Sequence, residues 1–376
     1  MAVRQSPLEG MVTDKTKTLP SAEFWAGKRV LVTGHTGFKG SWLALWLGSM
    51  GAEVYGLALD PLTDPNLFTL ANVVKFLEAD TRVDIRDESA VCDVFVKIKP
   101  EIVFHMAAQP LVRTSYQEAS YTFAVNSLGT AHILEAIRNT DSVRTGVMIT
   151  TDKVYKNCES SHPYCENDTL GGSDPYSASK ACAEIIINSY RHSFLGEKNI
   201  SISSARAGNV IGGGDWSEDR LIPDAIKSFI SRETLLLRNP DAIRPWQHVL
   251  DVLSGYLLLA QAQWSEPEKF ARAWNFAPES DDTTTVKGVA KLISELWGEG
   301  AKVEFAPKTD DRPEAGLLIL DSALARTNLA WRSRWSLLQT LQKTVDWYKA
   351  WQNKNNMHDY SLNQIKNYIH IGDNGE

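Results

Sequence analysis

The stretch Lys28–Gly40, with the sequence KRVLVTGHTGFKG, constrains the fold more strongly than any other part of the chain. Its β-branched run Arg29–Thr33 is typical of a strand buried in a parallel sheet. Three glycines follow, and the apolar residues of Ser41–Met50 indicate a helix after them. Glycine suits such a turn because a side chain would hold a diphosphate away from the amides of the helix N-terminus. The pattern predicts a dinucleotide site rather than an ordinary turn, with the candidate residues Gly34, Thr36, Gly37, Phe38, Lys39 and Gly40.

Strand-like and helix-like segments alternate through the first half of the chain. The predicted strands are Glu53–Leu59, Val74–Leu77, Ile102–Met106 and Gly146–Thr150, and the predicted helices are Ala90–Lys99 and Tyr121–Ile137. This alternation is typical of a doubly wound parallel sheet, so the expected fold class is α/β of the Rossmann type. From about Ser204 the pattern changes, which predicts a smaller C-terminal α/β region that binds the substrate.

Four regions are expected along the chain. Residues 1–22 form a leader, 23–205 the dinucleotide-binding domain, 206–351 mainly the substrate-binding region, and 352–376 a polar tail. Some segments of the third region can return to the first domain. Short elements are predicted in the later regions: a loop at Gly212–Trp216, a helix at Ile222–Ser231, a strand at Leu235–Leu237 and a helix near Tyr360–Ile369.

Composition narrows the class of protein. The chain has 376 residues and a formal net charge of -7 without a basic run, which disfavours nucleic acid as a partner. No apolar run approaches the roughly 20 residues of a membrane span, and residues 1–20 lack the apolar core of a signal peptide. The four cysteines form no CxxC pair, and no histidine cluster has metal-ligand spacing. We therefore expect a cytoplasmic protein with reduced thiols, no bound metal and no membrane partner.

Asp60 indicates which dinucleotide the turn accepts. It lies 20 residues beyond Gly40, at the end of the second predicted strand, where a carboxylate can accept hydrogen bonds from the adenosine ribose. The carboxylate repels a 2′-phosphate, and residues 61–63 offer no cation, so the sequence predicts NAD rather than NADP. A solvated turn residue is the alternative for Asp60. The other candidate cofactor-binding residues are Asp84, Ile85, Ala107, Ala108, Gln109 and Asn126.

Tyr176 and Lys180, in the sequence PYSASK, form the candidate catalytic pair. Their four-residue spacing places both side chains on one face of a helix. A phenol with a pKa near 10 is a poor base at neutral pH, but an ammonium about 4 Å away would lower that pKa towards neutrality. Thr151, at the end of a predicted strand, can align a substrate oxygen with Tyr176.

Together these residues resemble the extended short-chain dehydrogenase/reductase superfamily, and more narrowly its nucleoside-diphosphate-sugar branch, from Phe24 to about Trp351. Four segments are similar to the CDP-glucose 4,6-dehydratase family: TTDKVY at Thr150–Tyr155, NVIGGGDW at Asn209–Trp216, RPWQHVLD at Arg244–Asp251 and DPNLF at Asp64–Phe68. The resemblance implies an NAD-dependent lyase that converts a nucleotide sugar, with CDP-glucose favoured, into a 4-keto-6-deoxy sugar. The product would feed deoxysugar synthesis of the O-antigen type.

The resemblance also implies residue roles. Tyr176, with Thr151 and Lys180, removes the C4 hydroxyl proton while NAD takes the C4 hydride, which later returns to C6. Asp152 suits the role of the acid at C6 if its desolvated site keeps it protonated. The related dTDP-glucose enzymes carry a glutamate as the C5 base at the position of Lys153. Lys153 is therefore expected in the active site, either as a base or as a cation that stabilises the enolate or a phosphate, with a surface lysine as the alternative.

Arginines after residue 200 are candidates for the substrate diphosphate, because guanidinium groups match phosphate oxygens. The candidate substrate-binding residues are Asn209, Trp216, Arg220, Arg244 and Arg312. Arg244 and Arg312 resemble the branch's diphosphate and late nucleotide contacts, and Asn209 its amide position for the substrate phosphate. For Arg206 and Arg220 a structural ion pair is the alternative, and for Trp216 a place in the core.

Two other functions fit parts of this pattern. A nucleotide-sugar 4-epimerase or reductase would share Thr151, Tyr176 and Lys180 but would have no use for Asp152 as an acid. A non-catalytic NAD-binding sensor would need only the glycine turn. The branch usually dimerises through two helices per subunit, here Tyr121–Ile137 and Ser177–Ser193, so we expect a homodimer or a higher homo-oligomer.

Overall fold

The computed structural model describes residues 19–159, 162–237, 239–278, 283–305 and 317–371. Residues 1–18 of the expected leader, residues 372–376 of the tail and Arg312 lie outside the described residues. The strands are β1 (Arg29–Thr33), β2 (Glu53–Ala58), β3 (Leu77–Arg82), β4 (Ile102–His105), β5 (Thr145–Ile149), β6 (Ser201–Ala207), β7 (Asn209–Ile211), β8 (Thr234–Leu237), β9 (Ile243–His248), β10 (Ala273–Phe276), β11 (Thr283–Thr285) and β12 (Lys302–Phe305).

The helices are α1 (Ala22–Trp25), α2 (Phe38–Ser49), α3 (Leu67–Leu70), α4 (Glu88–Ile98), α5 (Val112–Gln117), α6 (Ala119–Phe123), α7 (Gly129–Arg138), α8 (Pro175–Tyr190), α9 (Leu221–Ser231), α10 (Val249–Ser265), α11 (Pro267–Phe270), α12 (Val286–Trp297), α13 (Ala323–Asn328), α14 (Leu337–Gln352) and α15 (Met357–Ile369). One π-helical segment, Ala124–Leu128, joins α6 to α7. No helix in the described part of the chain is both long and apolar enough to span a bilayer.

In the described ranges, seven parallel strands form one sheet with the order β10-β6-β5-β4-β1-β2-β3. The sheet is therefore doubly wound, which confirms the predicted α/β fold class. The strand order changes direction between β1 and β4, and ligands of such sheets bind outside the carboxyl ends of the strands at this point. The C-terminal half contributes β10 to the sheet, while β7, β9 and β11 form a smaller one.

The predicted third strand is wrong in position. The segment Val73–Phe76 is a 3₁₀ turn that begins after Asn72, which has a φ of 50°. The strand itself, β3, follows at Leu77–Arg82, where partly buried and exposed residues alternate at the edge of the sheet. The strand was missed because three of its six residues are charged. The alternation of charged and less polar residues with a period of two was the signal that could have revealed it.

The loop Gly212–Trp216, confirmed as a loop, is held by contacts with α2 and α14. Trp42 Nε1 donates a hydrogen bond to Gly213 O at 3.0 Å, and the Tyr348 hydroxyl donates to Asp215 O. A Cβ added to Gly213 would lie 2.0 Å from the Trp347 ring. This packing fixes the loop that leads from β7 to Arg220.

Asp251, in the first turn of α10, is a fully buried carboxyl group. Its Oδ1 accepts hydrogen bonds from Arg334 N at 2.6 Å and from the Tyr368 hydroxyl at 2.8 Å. Its Oδ2 has no hydrogen-bond partner among the described residues. Burial raises the pKa of Asp251 to about 7, so the folded chain holds a proton there that the unfolded chain releases near pH 4.

Replacing Asp251 with asparagine should flatten part of the pH dependence of stability. The proton stabilises the folded state fully below about pH 4, and this contribution is lost as the pH rises to about 7. The unfolding free energy of the unmodified chain should therefore fall relative to Asp251→Asn, by at most roughly 1.4 kcal/mol per pH unit. Urea unfolding of both proteins at pH 5, 6, 7 and 8 measures this difference. Parallel profiles would show that Asp251 does not titrate in this range.

Candidate active site

The glycine-rich turn between β1 and α2 fits a diphosphate. Gly34 has a φ of +75°, and a Cβ added there would lie 2.7 Å from Ala107 N, where β4 ends. A Cβ added to Gly40 would lie 2.1 Å from Gly34 O, so the helix could not approach the turn this closely. Gly37 is the N-cap of α2 and supplies no side-chain hydrogen bond. The first amides of α2 are thus left for a bound anion, as a dinucleotide site requires.

The segment after β4 is tied to α8 by Asn126. Asn126 Oδ1 accepts from Gln109 N at 2.8 Å, and its Nδ2 donates to Gln109 O at 3.0 Å. The same Nδ2 lies 2.9 Å from Ser179 Oγ, on the turn of α8 between Tyr176 and Lys180. This buried amide therefore has backbone partners, as a buried polar group requires. Asn126 therefore holds the end of β4 and the start of α8 in register.

The other candidate cofactor residues are held by local contacts. Thr36 Oγ1 donates to Leu59 O at 2.8 Å, which ties the glycine turn to the end of β2. Asp84 binds the guanidinium of Arg86, with 2.7 Å between Oδ2 and Nη2, and Arg86 lowers the pKa of Asp84. Ile85 is buried. These contacts place the residues along the strand ends, and their roles towards a cofactor stay predictions.

Tyr176 and Lys180 lie buried in the first two turns of α8, facing the carboxyl end of β5. The helix is capped by Asp174, which accepts from Ser177 N, and Tyr176 N donates to Ser115 Oγ at 3.1 Å. The Thr151 side chain lies near the phenol of Tyr176 and acts to lower its pKa. Lys180 Nζ donates to Ile149 O, the last residue of β5, at 3.3 Å. The structure thus brings the three predicted residues together.

The protonation of this pair differs from the sequence-based expectation. Burial raises the pKa of Tyr176 to about 12, although the Thr151 side chain and the charge of Arg220 oppose the rise. Burial also lowers the pKa of Lys180 to about 8, against the charge of Glu184. The prediction that Lys180 brings the Tyr176 pKa towards neutrality is therefore wrong for the groups of the chain itself. Spacing specifies the helix face, but not how deeply the phenol is buried or which cation acts on it.

Asp152 continues this chain of contacts. It begins a 3₁₀ turn after β5, is buried, and accepts a hydrogen bond from Thr151 Oγ1 at 2.9 Å on its Oδ1. Its Oδ2 is buried without a hydrogen-bond partner among the described residues. Burial raises the pKa of Asp152, although the charges of Lys153 and Arg244 oppose the rise. Thr151 is thus hydrogen-bonded to Asp152 and lies near Tyr176, and burial shifts the pKa of the Asp152 carboxyl in the direction that an acid requires.

Lys39 belongs to the same electrostatic cluster. Burial lowers the pKa of Lys39 to about 7, and the charges of Arg220 and Lys180 lower it further while Asp152 and Asp215 oppose. The cluster therefore joins the glycine turn to the end of β5. Sequence reasoning placed Lys39 beside the cofactor but missed its interaction with Asp152, because 113 residues separate the two.

Among the candidate substrate-binding residues, Arg220 lies close enough to Tyr176, and Arg244 close enough to Asp152, for their charges to affect the pKa values of these groups. Arg220 is the N-cap of α9, its Nη1 lies 3.3 Å from Asp215 Oδ2, and its charge acts on Tyr176. Arg244, in β9, is buried, and its charge acts on Asp152. Asn209 is partly buried at the start of β7.

Trp216 and Arg206 make contacts that stabilise the fold. The Trp216 ring is 5% exposed and packs edge-on against Tyr348 and Trp351, in the core rather than beside Tyr176. Arg206 forms a buried ion pair with Glu184, with 2.7 Å between Nη2 and Oε2, which confirms the structural alternative for this arginine. Glu184 was missed, although its position one turn beyond Lys180 was a usable signal.

A parallel sheet with a glycine-rich turn at its switch point and a buried Tyr–Lys pair at the end of β5 defines an enzyme of the extended short-chain dehydrogenase/reductase class. Residues 31–344 match the family model described as GDP-mannose 4,6 dehydratase. The chain belongs to this family.

Known relatives agree with this assignment. A CDP-glucose 4,6-dehydratase from Salmonella typhimurium is 46% identical over 352 residues, which cover 92% of this chain and 97% of that protein. The UDP-glucose 4-epimerase of Thermus thermophilus, solved as a complex with NAD, is 25% identical with a TM-score of 0.71 over 85% of this chain and 99% of its own. The UDP-glucose 4-epimerase of Thermotoga maritima, solved with UDP-glucose, shares the fold with a TM-score of 0.72 at 22% identity, over 86% of this chain and 99% of its own.

Proposed function

We propose that this chain catalyses the NAD-dependent dehydration of CDP-glucose to CDP-4-keto-6-deoxyglucose. The similarity to a curated CDP-glucose 4,6-dehydratase supports the substrate. The observation that carries the reaction type is Asp152, whose buried Oδ2 has no partner among the described residues and whose pKa burial raises. A 4-epimerase has no use for a carboxyl with a raised pKa near its tyrosine, whereas loss of the C6 hydroxyl requires an acid.

The glycine turn supports NAD as the cofactor. The amides at the start of α2 would bind its diphosphate, Asp60 its adenosine ribose, and the segment from Ala107 to Gln109 would lie along it. NAD bound there would supply the acceptor for the C4 hydride and the donor that returns it to C6. Asn126 contributes by fixing the segment after β4 against α8.

Two side chains, Tyr176 and Asp152, carry out separate proton transfers in the proposed dehydration. Tyr176 removes the proton of the C4 hydroxyl, and Thr151 and the charge of Arg220 favour this role because both oppose the rise that burial causes in its pKa. Asp152 gives its proton to the C6 hydroxyl, which leaves as water. One proton is gained at Tyr176 and one is lost at Asp152, and proton transfer through the Thr151 hydroxyl, which donates to Asp152, would restore both groups.

Lys153 follows Asp152 and is only partly buried. If it takes the C5 proton, Lys153→Ala should slow exchange of the C5 hydrogen with solvent deuterium by at least about tenfold, while oxidation at C4 persists. Nuclear magnetic resonance of CDP-glucose recovered from D₂O measures this exchange. The matched control is Lys156→Ala, an exposed lysine three residues later. Unaltered exchange in Lys153→Ala would exclude Lys153 as the C5 base.

A nucleotide-sugar panel tests the proposed reaction. The purified chain is offered CDP-, dTDP-, GDP- and UDP-glucose with NAD, and the products are weighed by mass spectrometry. We expect CDP-glucose to yield a product lighter by one water. A product of unchanged mass would favour the 4-epimerase, and no turnover of any sugar would favour a binding protein.

The proposed working unit is a homodimer in the cytoplasm. Three large apolar side chains are exposed on the helices expected to pair, namely Phe123 (37%), Leu128 (52%) and Ile185 (59%). Burial of such a patch between two copies would stabilise a helical contact. The four cysteines are free thiols, as a reducing compartment requires.

A further inference from the structure

A guanidinium lies at the end of β2 where the neighbouring sequence offers no cation. Arg82, at the end of β3, places its Nε 3.2 Å from Asp60 Oδ1. Its Nη2 donates to Asp80 Oδ2 at 2.9 Å, and its Nη1 donates to Leu59 O at 3.3 Å. The guanidinium carbon also lies 5.2 Å from the centroid of the Phe68 ring. Arg82 is thus held by contacts on several sides.

The surroundings fix Arg82 more firmly than they fix Asp60. The Arg82 side chain is 33% exposed, whereas that of Asp60 is 87% exposed. Asp80 is itself held by His35 Nε2 at 2.8 Å. Loss of the Asp60 carboxylate would therefore leave the guanidinium in place, with its face towards Asp60 uncovered.

The position of Arg82 relates it to the dinucleotide turn. Leu59 O accepts hydrogen bonds both from Arg82 and from Thr36 Oγ1 of the turn. Two carboxylates, Asp60 and Asp80, face the guanidinium of Arg82, so these three side chains carry a net negative charge. That charge disfavours the binding of a dianionic 2′-phosphate. Without the Asp60 charge, Asp80 and Arg82 together carry no net charge. The guanidinium group of Arg82 is then free to bind phosphate oxygens, which its planar donor arrangement matches well.

We propose that Arg82 is a latent binding residue for the 2′-phosphate of NADP, and that the Asp60 carboxylate, by pairing with it, keeps the 2′-phosphate away. The inference rests on the proposed function, because that function places the adenosine ribose at Asp60.

Calorimetric titration with NAD, NADP and adenosine 2′,5′-bisphosphate tests this proposal without relying on turnover. The proteins compared are the unmodified chain, Asp60→Asn, Asp60→Asn/Arg82→Met and Asp60→Asn/Arg29→Met. Arg29 is the matched control because it is a half-exposed arginine near a glutamate at the other end of the sheet. Asp60→Asn should bind NADP and the bisphosphate at least about tenfold more tightly than the unmodified chain.

The double variants decide the role of Arg82. The gain in affinity for NADP and the bisphosphate should disappear in Asp60→Asn/Arg82→Met and persist in Asp60→Asn/Arg29→Met. A second form, Arg82→Gln, keeps a donor for Leu59 O without the charge, so loss of the gain there excludes misfolding as the cause. The proposal is overturned if Asp60→Asn shows no gain, or if the gain survives both Arg82 replacements. Failure of the unmodified chain to bind NAD would overturn the proposed function as well.

Discussion

Replacing Tyr176 with phenylalanine is expected to reduce formation of the 4-keto product by at least about 100-fold. The phenol oxygen is the group that removes the C4 hydroxyl proton, and phenylalanine keeps the ring in its buried position without that oxygen. Asp152 keeps its hydrogen bond from Thr151 in this variant. The measurement is the initial rate of product formation together with the affinity for CDP-glucose. We expect the affinity to change much less than the rate, because the phenol contributes mainly in the transition state.

A tyrosine at the other end of α8 provides the control for this variant. Tyr190 is partly buried and donates to Glu135 Oε2 at 3.1 Å, far along the helix from β5. Tyr190→Phe removes a comparable hydroxyl and should retain the rate. Near-normal turnover in Tyr176→Phe would remove this residue from the chemistry.

Asp152→Asn should separate the oxidation at C4 from the loss of water. Asparagine keeps the size of the side chain and can still accept the hydrogen bond from Thr151 Oγ1, but it has no acidic proton for the C6 hydroxyl. We expect dehydration to slow by about 100-fold or more while oxidation at C4 persists. Rapid quenching with sodium borodeuteride followed by mass spectrometry should then yield a hexose that carries deuterium at C4, where the ketone stood, and retains its C6 oxygen.

Asp251→Asn is the matched control for this substitution. Asp251 resembles Asp152 in being buried with an Oδ2 that has no partner among the described residues, but it contacts Tyr368 and Arg334 in the core. Its replacement should alter the pH dependence of stability and leave turnover unchanged. Unchanged overall turnover in Asp152→Asn would exclude Asp152 as the acid.

Local patterns in the sequence were sufficient for most of the fold. The β-branched run before Gly34 and the apolar residues after Gly40 encode β1 and α2, whose bounds differ from the predicted ones by only a few residues. The pair in PYSASK encodes its helix face because four residues make about one turn. The strand β3 was misplaced because its alternation is carried by charged residues at the sheet edge.

Contacts between distant segments could not be predicted in the same way. The guanidinium of Arg82 reaches Asp60 only because β2 and β3 pair in parallel and end together. The cation that acts on Tyr176 is Arg220, which a packed loop carries to the site from 44 residues away. The depth at which Tyr176 and Lys180 are buried, which sets the direction of both pKa shifts, depends on the whole fold.

The central claim is that hydrogen leaves C4 and returns to C6 of one sugar while water is lost between the two events. CDP-glucose labelled with deuterium at C4 tests it directly, with the product analysed by nuclear magnetic resonance and mass spectrometry. We predict a 4-keto-6-deoxy product that carries the deuterium at C6. Deuterium that stays at C4, or that is missing from the product, would contradict the proposed reaction.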